Sequence, residues 1–166
     1  MFDASPIDAT LSTEELYASI EAQLSGLITG ESDVIANLAN AASLLIHSLP
    51  DLNWVGFYLL KDGELVLGPF QGRPACVRIP LGRGVCGTAA QKQTMLRVAD
   101  VNEFPGHIAC DSASRSELVA PIIDSTGALR GVLDLDSPRV DRFGPEDEAG
   151  VRRLAEILAG RLSSTG

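Results

Sequence analysis

Positive charge is scarce in this 166-residue chain: 13 Lys and Arg stand against 22 Asp and Glu, for a formal charge of −9. Such a chain has no extended basic patch to offer a phosphate backbone or an anionic bilayer, so neither nucleic acid nor membrane is expected as a partner. No stretch approaches twenty uninterrupted apolar residues, which excludes an ordinary membrane-spanning helix. The opening MFDASPIDATLSTEEL lacks the basic and apolar regions of an export signal, and a cytoplasmic location is expected. Metal-ligating residues are few: Cys76, Cys86 and Cys110, with His47 and His107. Three is an odd number and no export signal accompanies it, so a static disulfide framework is not expected. The cysteines form no CxxC pair and the histidines complete no zinc pattern, so no metal is expected.

What is present is enough apolar sequence, 45% of residues, for one core and a single domain over 1–166. TEELYASIEAQLSGLIT places Leu16, Ile20, Leu24, Leu27 and Ile28 on one helical face behind Thr13 as N-cap. DVIANLANAASLLIHSL repeats the pattern behind Ser32 and stops near Pro50, giving N-terminal helices over about 13–48. From about 53 to 137 the chain reads as strands: NWVGFYLL and LVLGPF around the turn KDGE, then CVRIPL, MLRVADV, and two strands around STG. FGPEDEAGVRRLAEILAGRLSS closes with an amphipathic helix over about 145–162. Helices at both ends and hairpin-like strands between them predict an α+β fold. Its centre is a mostly antiparallel sheet of about six strands, with the N- and C-terminal helices packed together on one face.

GRGVCG is a literal G-x-G-x-x-G through Gly82, Gly84 and Gly87, and Asp100 follows at the distance of a ribose-binding acid. Pro80 interrupts the preceding strand, and only about seven residues separate Gly87 from the next one, too few for a crossover helix. A turn whose glycines permit positive φ is the better reading. A functional variant of it brings N–H groups at a helix start close to a small anionic ligand.

Asp134 and Asp136 alternate with apolar residues in VLDLD and so share a strand face, while Glu117 opens the preceding strand. Three carboxylates converging there need solvent, hydrogen bonds or a cation to match them. Trp54 and Tyr58, four apart in NWVGFYLL, also share a face. Read alone, the aspartates are a solvated strand end, the aromatics are core residues and each cysteine is a small buried hydrophobe. His47 on its apolar helix reads as structural, and His107 as packed or exposed.

Together, NWVGFYLL, LVLGPFQGRPACVRIPLGRGVCGTAA, DVNEFPGHIACDSASRSELVAPI and GVLDLDSP closely resemble the free methionine-(R)-sulfoxide reductases, single-domain enzymes of GAF-like fold. The similarity runs from about Asn53 to Phe143 and includes all three cysteines at the family's spacing. It implies reduction of free L-methionine (R)-S-oxide by thiolate attack on the sulfoxide. The resulting sulfenic acid is resolved by a second thiol into a disulfide, which an external dithiol such as thioredoxin reduces; no cofactor is bound.

By that resemblance Cys110 is the nucleophile, Cys76 the preferred resolving thiol and Cys86 a second resolving or auxiliary thiol, with the order of attack between Cys110 and Cys86 left open. Helix-start N–H dipoles and Arg115 would favour the Cys110 thiolate. Glu117, Asp134 and Asp136 bind the substrate's amino group and supply the proton. Trp54 and Tyr58 wall a pocket for the S-methyl group, and backbone N–H groups near Gly84 to Gly87 or Cys110 meet the carboxylate. Family members commonly pair as homodimers. The alternatives are a ligand-sensing GAF module without catalysis, and a peroxide-responsive thiol protein that has no need of the acids.

Overall fold

The structure, a computed structural model, describes residues 10–107 and 111–162. Cys110, the expected nucleophile, lies outside the described residues.

Two helices open the fold, α1 (Thr13–Ile28) and α2 (Val34–Ser48). Each is capped one residue away from the expected position. Ser12, not Thr13, caps α1: its hydroxyl accepts from the Glu15 amide while the Glu15 carboxylate accepts from the Ser12 amide, a reciprocal capping box. Asp33, not Ser32, caps α2, its carboxylate accepting the Ala36 amide at 2.8 Å. An ionised acceptor at a helix start combines the hydrogen bond with the favourable macrodipole.

Strands β1 (Trp54–Lys61) and β2 (Glu64–Gln71) form a hairpin whose two-residue turn is Asp62–Gly63, both at positive φ. That is the geometry the right-handed strand twist favours, and Gly63 supplies it without strain. There follow β3 (Arg78–Pro80), α3 (Gly84–Lys92), β4 (Leu96–Val98), β5 (Ser116–Ile123), β6 (Leu129–Ser137) and α4 (Pro145–Leu162). The β5–β6 turn is tied by the buried Asp124 carboxylate, which accepts from the Thr126 and Ala128 amides, the Thr126 hydroxyl and Arg130. These bonds hold its pKa well below the usual carboxylate range.

The six strands make one sheet in the order β3-β2-β1-β6-β5-β4, every pair antiparallel. Among the described residues no βαβ unit exists for a dinucleotide, so the glycines of GRGVCG do other work. Gly82 and Gly84 both have positive φ, and a Cβ on Gly87 would lie 2.4 Å from the Pro80 carbonyl oxygen. The glycines let α3 start hard against β3.

Strand alternation divides the molecule. Val55 and Phe57 of β1, Leu118, Ala120 and Ile122 of β5, and Leu133 and Leu135 of β6 pack under α1, α2 and α4 in the main core. This helical layer on one face is the arrangement the sequence predicts. The α1–α4 contact depends on Gly150, where a Cβ would come within 2.2 Å of the Tyr17 ring. Tyr17 is fully buried, and its hydroxyl donates to Asp147 at 2.8 Å. The other parity of the same strands faces α3 and builds a second, smaller core that contains the site.

Candidate active site

The second face owes its chemistry to register. Trp54 of β1 lies opposite Asp136 of β6, which in turn lies opposite Glu117 of β5; one step along, Gly56, Asp134 and Val119 form the next row. Directly opposed residues in antiparallel strands bring their Cβ atoms within about 5.5 Å. One aromatic and three acids are thereby gathered on neighbouring rows, and Asp134 and Asp136 share a face as the VLDLD alternation predicts.

Gly56 makes room for the aromatics. A Cβ there would stand 2.4 Å from Phe70 Cβ and 2.5 Å from the Trp54 indole, so the indole lies over the glycine. Trp54 stacks on Phe70, with centroids 5.4 Å apart, and on Tyr58 at 6.0 Å. Trp54 Nε1 donates to the Arg73 carbonyl at 3.1 Å and the Tyr58 hydroxyl to the Cys76 carbonyl at 3.0 Å. These bonds tie the β2–β3 loop over the aromatic wall. A buried aromatic with its polar tip satisfied is a rigid surface rather than a mobile one.

Trp54, Tyr58, Cys86, Glu117, Asp134 and Asp136 all line one cleft, together with the α3 start at Gly84 and Val85. Arg83, which precedes α3 and makes no side-chain capping bond, also lines it, as do Arg73, His107 and Asp111.

Cys86 sits in the first turn of α3, 4% exposed, with Sγ 3.7 Å from Glu117 Oε1. Glu117 and Asp134 are each 5% exposed. Burial pushes the Glu117 carboxyl well above the usual range, and the neighbouring Asp134 and Asp136 add to the rise. Burial likewise raises Asp136, and pushes Asp134 up to about 7. The Cys86 thiol is raised by burial and then by Asp134 and Glu117. The cluster therefore holds protons at neutral pH and meets an incoming cation by releasing them. Asp134 Oδ1 is buried and has no hydrogen-bond partner. An orphaned carboxylate oxygen costs stability unless a donor or cation reaches it.

The thiols are differently placed. Cys76, half-buried in the β2–β3 loop, is disulfide-bonded, while Cys86 is a free thiol. Arg115 pairs with Asp100 at 3.0 Å. Asp100 itself caps a short 3-10 turn at Val101–Glu103, which accounts for it without a ribose. His107 lines the cleft with its Nδ1 buried and unbonded, and burial lowers its pKa, so it is a neutral ring at pH 7. His47 lies on the exposed side of α2 with its Nδ1 2.8 Å from the Ser43 carbonyl, away from the site.

One group escaped the sequence reading. Asn53 Nδ2 donates to Asp111 Oδ2 at 3.2 Å and to Ser114 Oγ at 3.0 Å. It fastens the segment between the 3-10 turn and β5 to the entry of β1. The partners are 58 and 61 residues apart, so no local pattern signals them.

A family model for the GAF domain matches residues 33–162. The free methionine-R-sulfoxide reductase of Escherichia coli (strain K12) is 51% identical over 151 residues, spanning 91% of this chain and 91% of that one. The Saccharomyces cerevisiae protein of the same name is 41% identical over 157 residues, spanning 90% and 87%. The X-ray structure of free methionine-R-sulfoxide reductase from Neisseria meningitidis in complex with its substrate superposes with a TM-score of 0.91 at 42% identity, over 98% of this chain and 96% of that one.

Proposed function

The chain belongs to the free methionine-R-sulfoxide reductases of the GAF family, and from that premise we propose that it reduces free L-methionine (R)-S-oxide to L-methionine. One observation carries the reading: the orphaned Asp134 oxygen lies in the same cleft as the stacked Trp54 and Tyr58. A ligand answering both has a cationic group and a small apolar group on one short chain. Free methionine sulfoxide has an α-ammonium, an S-methyl and a polar S–O bond on one such chain.

The ammonium pairs with Asp134 and Asp136, and the methyl packs on the aromatic wall. The substrate carboxylate meets Arg83 or the unbonded N–H groups at the α3 start, where the helix macrodipole favours an anion. Cys110 thiolate attacks the sulfoxide sulfur. Glu117, held protonated by burial, gives its proton to the sulfoxide oxygen as the S–O bond breaks. That oxygen passes to Cys110 as the sulfenic acid, and methionine leaves. Cys76 then attacks the sulfenic sulfur, water departs and a disulfide forms. Thioredoxin restores both thiols by exchange, so no bound cofactor is needed.

The test is NADPH consumption by the purified protein with thioredoxin, its reductase and free methionine-R-sulfoxide. Turnover is expected, and Cys110→Ser should abolish it; continued turnover by that variant overturns the assignment. A peptide-like substrate with a blocked amino group cannot offer the cation, so the N-acetylated sulfoxide should be a poor substrate.

A further inference from the structure

The acid cluster has a second chemistry besides receiving an organic cation. Single ligand atoms of Cys86, Glu117 and Asp134 all lie within 4.8 Å of one another. A tetrahedral zinc ion, with a Zn–S bond of about 2.3 Å and Zn–O bonds of about 2.0–2.2 Å, sets its sulfur and oxygen ligands about 3.5 Å apart. The Cys86 Sγ to Glu117 Oε1 distance is 3.7 Å, already near that spacing. The independent observation is Asp134 Oδ1, a buried oxygen on a 5%-exposed residue lining the cleft, with no hydrogen-bond donor within 3.5 Å. Asp136, two residues along β6, lines the same cleft.

We infer that Cys86, Glu117 and Asp134 form a binding site for a zinc-class divalent ion on the floor of the cleft. One thiolate with two carboxylates suits a borderline-soft metal. Calcium and magnesium are disfavoured, since they need six or more oxygens. The three residues come from α3, β5 and β6, which explains why no metal spacing is visible in the sequence. Binding is coordination alone: the ion replaces the thiol proton and any carboxyl protons, which pass to solvent, and no electrons move. The fourth ligand position opens to the cleft. Because the ion takes up Glu117 and Asp134, it excludes the substrate ammonium; this last step rests on the substrate reading above.

The experiment uses the full chain carrying Cys76→Ser and Cys110→Ser, which leaves Cys86 as its sole thiol and cannot turn over substrate. Titration with Cd²⁺ should develop the thiolate-to-metal charge-transfer absorption at one equivalent, and Zn²⁺ should bleach it by displacement. Adding Asp134→Asn or, separately, Glu117→Gln should weaken Cd²⁺ binding at least about tenfold. Near-UV circular dichroism of each variant shows that the aromatic wall is intact. Absence of the band in the single-thiol protein, or equal Cd²⁺ affinity in both folded acid variants, overturns the site. Methionine sulfoxide should raise the apparent Cd²⁺ dissociation constant. A band that forms with the expected acid dependence but resists methionine sulfoxide would overturn the substrate reading and the competition, while the metal site stands.

Discussion

Cys86 Sγ points at Glu117 Oε1 across 3.7 Å, a thiol and a carboxylic acid paired inside the protein rather than at its surface. The pairing predicts an inert thiol. Burial and two adjacent acids keep Cys86 protonated, and thiols react as thiolates. In the reduced native protein at pH 7, iodoacetamide should label Cys86 at least about tenfold more slowly than Cys76, with the difference lost on unfolding. Peptide mapping by mass spectrometry reads this directly.

Asp134 predicts a pH-dependent stability. Its folded pKa of about 7 lies above its ordinary value, so the folded state holds the proton more tightly than the unfolded chain does. This contribution is fully present below the unfolded pKa and is lost as pH rises through about 7. The expected slope is about 1.4 kcal/mol per pH unit for each proton retained. Asp134→Asn carries no such proton, so urea unfolding should show its stability relative to the parent improving from pH 5 to pH 8. A constant difference would contradict the assignment.

Gly56→Ala is expected to damage the aromatic wall. The added methyl meets Phe70 and the Trp54 indole at 2.4 and 2.5 Å, and neither can retreat without unstacking. A cost of about 1–3 kcal/mol follows for overpacking. With Trp54 displaced, KM for the sulfoxide should rise more than kcat falls.

In α4, two glycines have opposite expectations. Gly150→Ala drives a methyl into the Tyr17 ring, whereas a Cβ on Gly160 meets nothing within 4 Å. The first should destabilise the protein by about 1–3 kcal/mol. The second should stabilise it by roughly 0.5–1 kcal/mol, through the gain in helix propensity. Thermal unfolding of the two variants gives the comparison.

Asn53→Ala removes both bonds that hold Asp111 and Ser114 while touching neither the acids nor the aromatics. As a positioning residue it should act on kcat, lowering it by about 10–100-fold with KM little changed. Asn53→Gln, which keeps the amide donor, should recover part of the loss.

The elements were legible because they obey simple periods. VLDLD and NWVGFYLL alternate, and the alternation alone assigns Asp134, Asp136, Trp54 and Tyr58 to faces. Sequence could not say that both pairs share a face of the same sheet, since that depends on β6 lying between β1 and β5. The Ser12 capping box was present in the sequence as S-x-x-E, one residue ahead of Thr13, and the carboxylate of Asp33 outcompetes the hydroxyl of Ser32. Contacts between separated segments stayed hidden: Asn53 with Asp111, Tyr17 with Gly150, and Arg115 with Asp100. They depend on how layers meet, and no local pattern encodes that.

β1, β5 and β6 each present core residues on one side and site residues on the other. A single-residue insertion within β6 would turn Leu133 and Leu135 toward the cleft and send the two aspartates beneath the helices. Folding and catalysis are therefore read from one frame. A systematic insertion–deletion scan should find these strands intolerant throughout, while the exposed residues 125–128 of the β5–β6 turn accept length changes more readily.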